Sequence, residues 1–289
     1  MDQLSLYKYI PFNAPSLNGS DVIQNKRQSC FENGEIWYPK ANKLNDPFDC
    51  NPDFQLPVND EEKLEKIVNS LSKNELKFVE GKIGISTKEE LLAFLKTPNL
   101  MNTAGLAAKS KIPADFIHRS VFVGYLGALF SDSISSIGVL SLTEDPFNLR
   151  MWAHYGGNST GVCLEFERNS NNILGSKSTK KVEYVAKRLK IMLHDRHKEI
   201  EEMITTKSHI WKYEKEWRNC QREGDKAYPF PGKVRRIIFG LNCHKDTVEL
   251  TKNIFGAKVE YEEILLSGDY SIQSDHGLNH SLSQVDLEW

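Results

Sequence analysis

Two carboxylates and a guanidinium recur at every second position in Tyr213-Glu214-Lys215-Glu216-Trp217-Arg218. If this segment is extended, Glu214, Glu216 and Arg218 share one face, with Tyr213, Lys215 and Trp217 on the other, because side chains alternate along a strand. The two carboxylates then stand about 7 Å apart. Mutual repulsion makes one of them harder to ionise, while the arginine eases both. The result is a compact polar site. A solvated edge strand with ion pairing along its length has the same pattern, so spacing alone leaves both readings open.

A second constellation lies in Asn148-Leu149-Arg150-Met151-Trp152-Ala153-His154-Tyr155, followed by Gly156-Gly157. Trp152, His154 and Tyr155 offer stacking and proton transfer, and the glycines let backbone approach a ligand. Against this, a lone histidine is more often a structural hydrogen-bonder, and Trp152 also suits a core. Glu165 has the parity opposite to Leu164 and Phe166, which a water-facing position explains. His194 and His197 lie three apart but lack a third ligand at a metal-site spacing, so no metal centre is expected. His276 and His280 fall in a polar tail. The chain has no GxGxxG, no phosphate-binding lysine loop and no GxSxG elbow, which argues against Rossmann-type, P-loop and hydrolase-elbow chemistry.

The elements that must position these residues follow from periodicity. Leu6 to Ile10 and Gly34 to Tyr38 are short strands, each stopped by a proline. Asn45-Asp46-Pro47 is a tight turn. Leu64, Ile67, Val68 and Leu71 give a helical stripe. Ser86 with Glu89 opens another helix, and Pro113 to about Phe130, largely apolar on every face, gives a third, buried one. Strands return at Ile137–Leu142, Thr160–Phe166 and Lys181–Val185, with a short turn or helix between the first two. A long helix is expected from about Arg188 to Trp211, then a strand at Val234–Gly240, a helix at His244–Phe255 and a last extended segment at Val259–Leu266. Strands at both ends of a helical middle predict an α+β fold. We expect a single domain over residues 1–266, with a central, mostly antiparallel sheet, a helical insertion at about 60–132 and a polar tail at 267–289.

With 37 Lys+Arg against 39 Asp+Glu, the net charge of −2 gives no global footprint for nucleic acid or an anionic membrane. Five scattered cysteines form no CxxC pair and are expected as reduced thiols. The first residues lack a basic stretch followed by an apolar one, so no signal peptide is expected. The most apolar run, Val121 to Phe130, is about half of the roughly 20 residues a spanning helix needs. A cytoplasmic protein with no membrane partner is expected.

Taken in order, the blocks LYKY, EIWY…LNDPFD, LSLTEDPFNLRMWAHYGGNSTGVCLEF, Lys207 to Arg218 in the pattern KxxxWxYExEWR, and VRRIIFG resemble the bacterial family called domain of unknown function 2971. The layout is more distantly similar to ADP-ribosyltransferases of the toxin type. That resemblance implies a nicotinamide dinucleotide (NAD) cofactor, a macromolecular acceptor, and a toxin or phage-defence component with an antitoxin or regulator. By the same resemblance Glu216 stabilises an oxocarbenium-like transition state and Glu214 orients the acceptor. Tyr7, Lys8 or Tyr9 takes the early-strand position, and Tyr38 or Trp152 stacks on nicotinamide. Lys8 departs from the histidine or arginine usual in those enzymes, and their Ser-Thr-Ser motif is missing. The site is expected where Tyr7–Tyr9, Asn45 and Asp46, Trp152–Tyr155 and Glu214–Arg218 converge.

Two rivals remain at this point. A nuclease or phosphodiesterase would use His154 as general acid or base and Arg218 on phosphate. For such an enzyme Lys177, Lys180, Lys181, Lys187, Arg188 and Lys190 track a backbone, though a solvated surface explains the same run. A non-catalytic ligand-sensing module would instead use Arg218, paired with Glu216 or Glu165, as a buried brace.

Overall fold

The computed structural model describes residues 5–14, 22–55, 60–96, 134–192, 196–268 and 271–274. The apolar helix expected at Pro113–Phe130, together with His194, His276 and His280, lies outside them. In chain order the strands are β1 (Ser5–Ile10), β2 (Glu35–Tyr38), β3 (Asp53–Gln55), β4 (Gly138–Thr143), β5 (Val162–Glu167), β6 (Thr179–Lys181) and β7 (Glu183–Val185). They continue with β8 (Lys190–Met192), β9 (Thr206–Ser208), β10 (Glu216–Gln221), β11 (Lys226–Pro229), β12 (Val234–Phe239), β13 (Glu260–Leu266) and β14 (Ile272–Ser274). The helices are α1 (Val22–Glu32), α2 (Glu61–Ser70), α3 (Lys73–Ile83), α4 (Lys88–Lys96), α5 (Leu149–Tyr155), α6 (Arg196–Thr205) and α7 (Lys245–Phe255).

The fold is α+β, built on an eight-stranded sheet of order β14-β13-β12-β5-β1-β4-β10-β6. Every neighbouring pair is antiparallel except β12 and β13, which run parallel with α7 between them in sequence. Alternation sorts the two faces. Leu6, Ile10, Leu140, Leu142, Leu164, Phe166, Ile237 and Phe239 build one core, and α1 packs on it through Phe31, whose ring stands 4.8 Å from that of Phe12. The other face carries Tyr9, Trp152, Cys163 and Ile238 in a second cluster. The register aligns Tyr7 with Glu165 and Glu165 with Arg236 on one side, and Tyr7 with Thr143 and Thr143 with Glu216 on the other. A polar row therefore crosses the sheet beside that second cluster. Along β1, six residues register with β5, whereas only Tyr7↔Thr143 registers with β4.

The chain divides into two compact units, one of residues 1–40, 137–182 and 210–289, the other of residues 41–136 and 183–209. The large sheet and the two-stranded antiparallel pairing of β2 with β11 belong to the first. The second contains α2, α3 and α4, packed through Leu64, Ile67, Val68, Leu71, Val79 and Leu91. It also contains two short parallel pairs, β3 with β8 and β7 with β9.

Several local expectations change. The stripe at Leu64–Leu71 ends at an extended Leu71, and Ser72 opens α3 with a capping box to Glu75. At α4, Thr87 rather than Ser86 receives the backbone N–H, from Glu90 at 3.1 Å. The long helix expected from Arg188 to Trp211 contracts to α6, because Lys190–Met192 pairs with β3 and Thr206–Ser208 pairs with β7. Tertiary pairing outweighs helix propensity there. Among the described residues, no helix is long and apolar enough to cross a membrane.

Candidate functional site

Glu216 opens β10, and its carboxylate accepts two hydrogen bonds from Arg218, from Nε at 2.8 Å and from Nη2 at 3.0 Å. The two residues are two apart on one strand and so share a face. Glu216 is 3% exposed and Arg218 1%. Burying two charges costs several kcal/mol each before pairing, and the fork-to-fork geometry offsets that cost.

Glu214 arrives by a different route from the one its spacing suggests. It ends a 3-10 turn, His209–Glu214, and Lys215 then takes the left-handed conformation at φ 46°. The segment is therefore kinked, not continuously extended, yet Glu214 is buried as well, at 2% exposure. Tyr155 on α5 donates to its Oε1 at 2.6 Å, and Thr143 Oγ1 donates to its carbonyl at 2.6 Å.

Helix α5 is fixed at its start by Asn148, whose side-chain oxygen accepts from the N–H groups of Arg150 and Met151. The Asn148 amide donates to the Tyr213 carbonyl at 3.1 Å, tying α5 to the approach to Glu214. Tyr9 donates to the Asp145 carbonyl at 2.8 Å, and burial, then Cys163, pushes its hydroxyl far up from the ordinary range. Trp152 is wholly buried, donates to the Pro146 carbonyl at 2.9 Å, and meets Tyr9 edge to face at 4.9 Å. Its ring is a core element with no face free for stacking. Tyr38 is also buried; it donates to Asn219 Oδ1 at 3.0 Å, and burial pushes its hydroxyl up to about 12.

On the early strand, Lys8 Nζ donates to the Ser141 carbonyl at 2.8 Å, on the β4 side where strand registration stops. Tyr7 accepts from Arg236 Nη2 at 3.4 Å, and burial, then Glu165, raises its hydroxyl. Arg236 is held between Glu165 and Glu262, each at 2.6 Å. Burial alone would make Arg236 easier to deprotonate, but the two carboxylates outweigh it and raise its value. Glu165 therefore does not face water: it is buried and bonded to Ser5 and Arg236.

His154 is exposed, with its ring 6.2 Å from that of Tyr155. Asn45 and Asp46 belong to the second unit. Asn45 is exposed, and Asp46 is buried with Oδ1 accepting from Phe48 N at 2.9 Å, the turn that Asn-Asp-Pro predicts. Among the described residues, no group of three His, Cys, Asp or Glu side chains is placed to hold a metal ion.

The structure thus brings together Glu214, Glu216, Arg218 and Tyr155, places Tyr7, Lys8 and Tyr9 on β1 with β4 between them and β10, and assigns Trp152 and Tyr38 to cores. Thr143, Asn148, Arg236 and Glu262 are the participants sequence reasoning missed. Arg236 alternates in phase with Ile238, a charge at an inward position, and that parity was a readable signal, although a register shift between Val234 and Arg236 puts Val234 in the core of the opposite face. Asn148 before a helical run was another.

Fold and site define an α+β protein whose mostly antiparallel sheet carries a buried row of paired acidic and basic side chains. Residues 151–219 match the family model described as protein of unknown function (DUF2971). That stretch holds both the Trp152–Tyr155 and Glu214–Arg218 blocks and is where the chain is similar to the family. No curated protein and no solved structure matches the chain.

Proposed function

We propose that the row around Glu214, Glu216 and Arg218 is the carboxylate end of a site for a nicotinamide dinucleotide, whose ADP-ribosyl group passes to a macromolecular acceptor. The observation that supports this reading best is the single-point junction of β1 with β4. It sets Tyr7 and Lys8 on one side of a weakly paired seam, with the glutamate strand one strand beyond. In this reading the bond between ribose and nicotinamide breaks with its electron pair leaving on nicotinamide. Positive charge develops on the ribose, and Glu216 lowers the barrier by supplying negative charge there. Glu214, oriented by Tyr155, receives the proton of the attacking acceptor, and Lys8 meets the phosphates. Such an effector is a toxin or phage-defence component, restrained by an antitoxin or regulator.

Burial sets a condition on this reading, because both Glu216 oxygens are occupied by Arg218. The dinucleotide must open that pair to reach the carboxylate. The same pair supports a second reading, in which Glu216 and Arg218 brace a non-catalytic ligand-sensing module. The test is to incubate purified protein with nicotinamide dinucleotide and a cell lysate, following nicotinamide release for wild type and Glu216→Gln alongside their melting temperatures. Release by wild type alone, with melting preserved, supports the transferase. Full release by Glu216→Gln, or none by wild type, overturns it. A fall in melting temperature without any release by wild type favours the brace.

A further inference from the structure

The second unit holds a separate cavity of about 210 Å³ that the Glu214–Arg218 site does not use. Its walls come from both stretches of that unit: Phe48 and Cys50 from the turn after Asp46, and Lys187, Arg188, Met203 and Lys207 from the segment around α6. Deep in this region Lys207 and Asp49 form an ion pair at 3.6 Å, with side chains 3% and 0% exposed. That pair fixes the turn to the α6 segment. The lining of the cavity also carries two further cations, Lys187 and Arg188.

This part of the lining has a definite chemistry. Phe48 is 62% exposed, and the Arg188 guanidinium stands 5.6 Å from its ring centre. Arg188 donates from Nε to the Asn51 carbonyl at 2.9 Å and from Nη2 to the Pro52 carbonyl at 3.3 Å. Those bonds hold its fork in place and leave part of its five-donor array for another acceptor. Lys187 adjoins it and is exposed. No carboxylate among the lining residues faces these two cations. An exposed ring, a positioned guanidinium and a neighbouring ammonium around a mainly apolar hollow match a flat heterocycle carrying a phosphate. The volume suits one ring system and is too small for a dinucleotide, since pockets enclosing drug-sized ligands run from about 300 Å³ upward.

We propose that this cavity binds a nucleoside phosphate, with the base against Phe48 and the phosphate on Arg188 and Lys187. The inference rests on residues of the second unit alone and stands apart from the transferase reading. The test is calorimetric titration of the full chain with adenosine 5′-monophosphate, adenosine, inorganic phosphate and an eight-nucleotide single-stranded oligonucleotide. Wild type should bind the monophosphate saturably. Phe48→Ala should weaken it at least tenfold, and Lys187→Ala severalfold with a shallower salt dependence; both side chains are exposed, so folding should persist in each. Arg188→Lys keeps a charge but loses the fork, and should also weaken binding about tenfold. Tighter binding of the oligonucleotide assigns the source to a strand, and tighter binding of the monophosphate assigns it to the free nucleotide. The proposal is overturned if neither binds, or if Phe48→Ala and Lys187→Ala both retain wild-type affinity.

Discussion

Arg218 and Glu216 lie two residues apart, and that separation is enough for each to satisfy the other once both leave water. Removing one partner strands the other, so Arg218→Ala should cost about 3–5 kcal/mol in urea unfolding. Replacing both with Met and Leu should recover most of that loss, since an apolar pair of similar volume carries no desolvation debt. A double variant as unstable as the single would show that the pair is not an isolated ionic unit. Glu144 behaves differently because it is only partly buried. Burial raises its proton affinity, but hydrogen bonds from Lys181 and Trp217 outweigh this and hold its carboxyl below the usual range. A carboxylate lowered on folding stabilises above its unfolded value and loses that contribution as pH falls through the folded one. Wild type should exceed Glu144→Gln by up to about 1 kcal/mol at neutral pH. The gap should close in acid below the ordinary carboxylate range, as measured by denaturant midpoints at stepped pH.

At the scale of elements, what was legible depended on whether local pattern and tertiary pairing agreed. Alternation gave β1, β4, β5 and β12 nearly to their ends, and the helix after His244 emerged as α7. Helix α1 escaped notice because its polar sequence buries only Gln24 and Phe31, too few to draw a stripe. Lys190–Met192 and Thr206–Ser208 read as helix because their partners, β3 and β7, lie outside any local window. The kink at Lys215 was equally hidden, since a left-handed lysine carries no sequence mark. Of the site, the Glu214–Arg218 grouping was legible, whereas the Arg236 network needed the register of three strands. Two predictions belong to this scale. Ser72→Ala removes the cap that separates α3 from α2 and should cost about 0.5–2 kcal/mol, seen in thermal unfolding. Gly161→Ala, just before β5, should cost more, because a side-chain carbon there would overlap the Ile10 carbonyl at the end of β1; equal stability would contradict that close approach.

At the scale of the whole molecule, the chain passes between its two units at residues 40, 136, 182 and 209. The second unit is thus assembled from stretches far apart in sequence, and β8 depends on β3 for its only strand pairing among the described residues. Excising residues 41–136 alone should leave 183–209 with unpaired backbone and uncovered apolar side chains, and the product should aggregate. Excising both stretches, each bridged by a short Gly-Ser linker, retains every ladder of the eight-stranded sheet. That product should be the more soluble of the two and keep a β-type circular dichroism spectrum. Equal solubility of the two would mean that 183–209 folds without its distant partner.

Cys163 is the second residue of β5, an interior strand of the eight-stranded sheet, and is flanked in register by Tyr9 and Ile238, with no exposed surface. Burial pushes its thiol well above the usual value, and it is the thiolate that attacks an alkylating reagent. The native protein is therefore protected twice, by occlusion and by protonation. Pulsed alkylation followed by mass spectrometry turns this atom into a clock: its modification rate reports how often the centre of the sheet opens, read at one position, without an added probe.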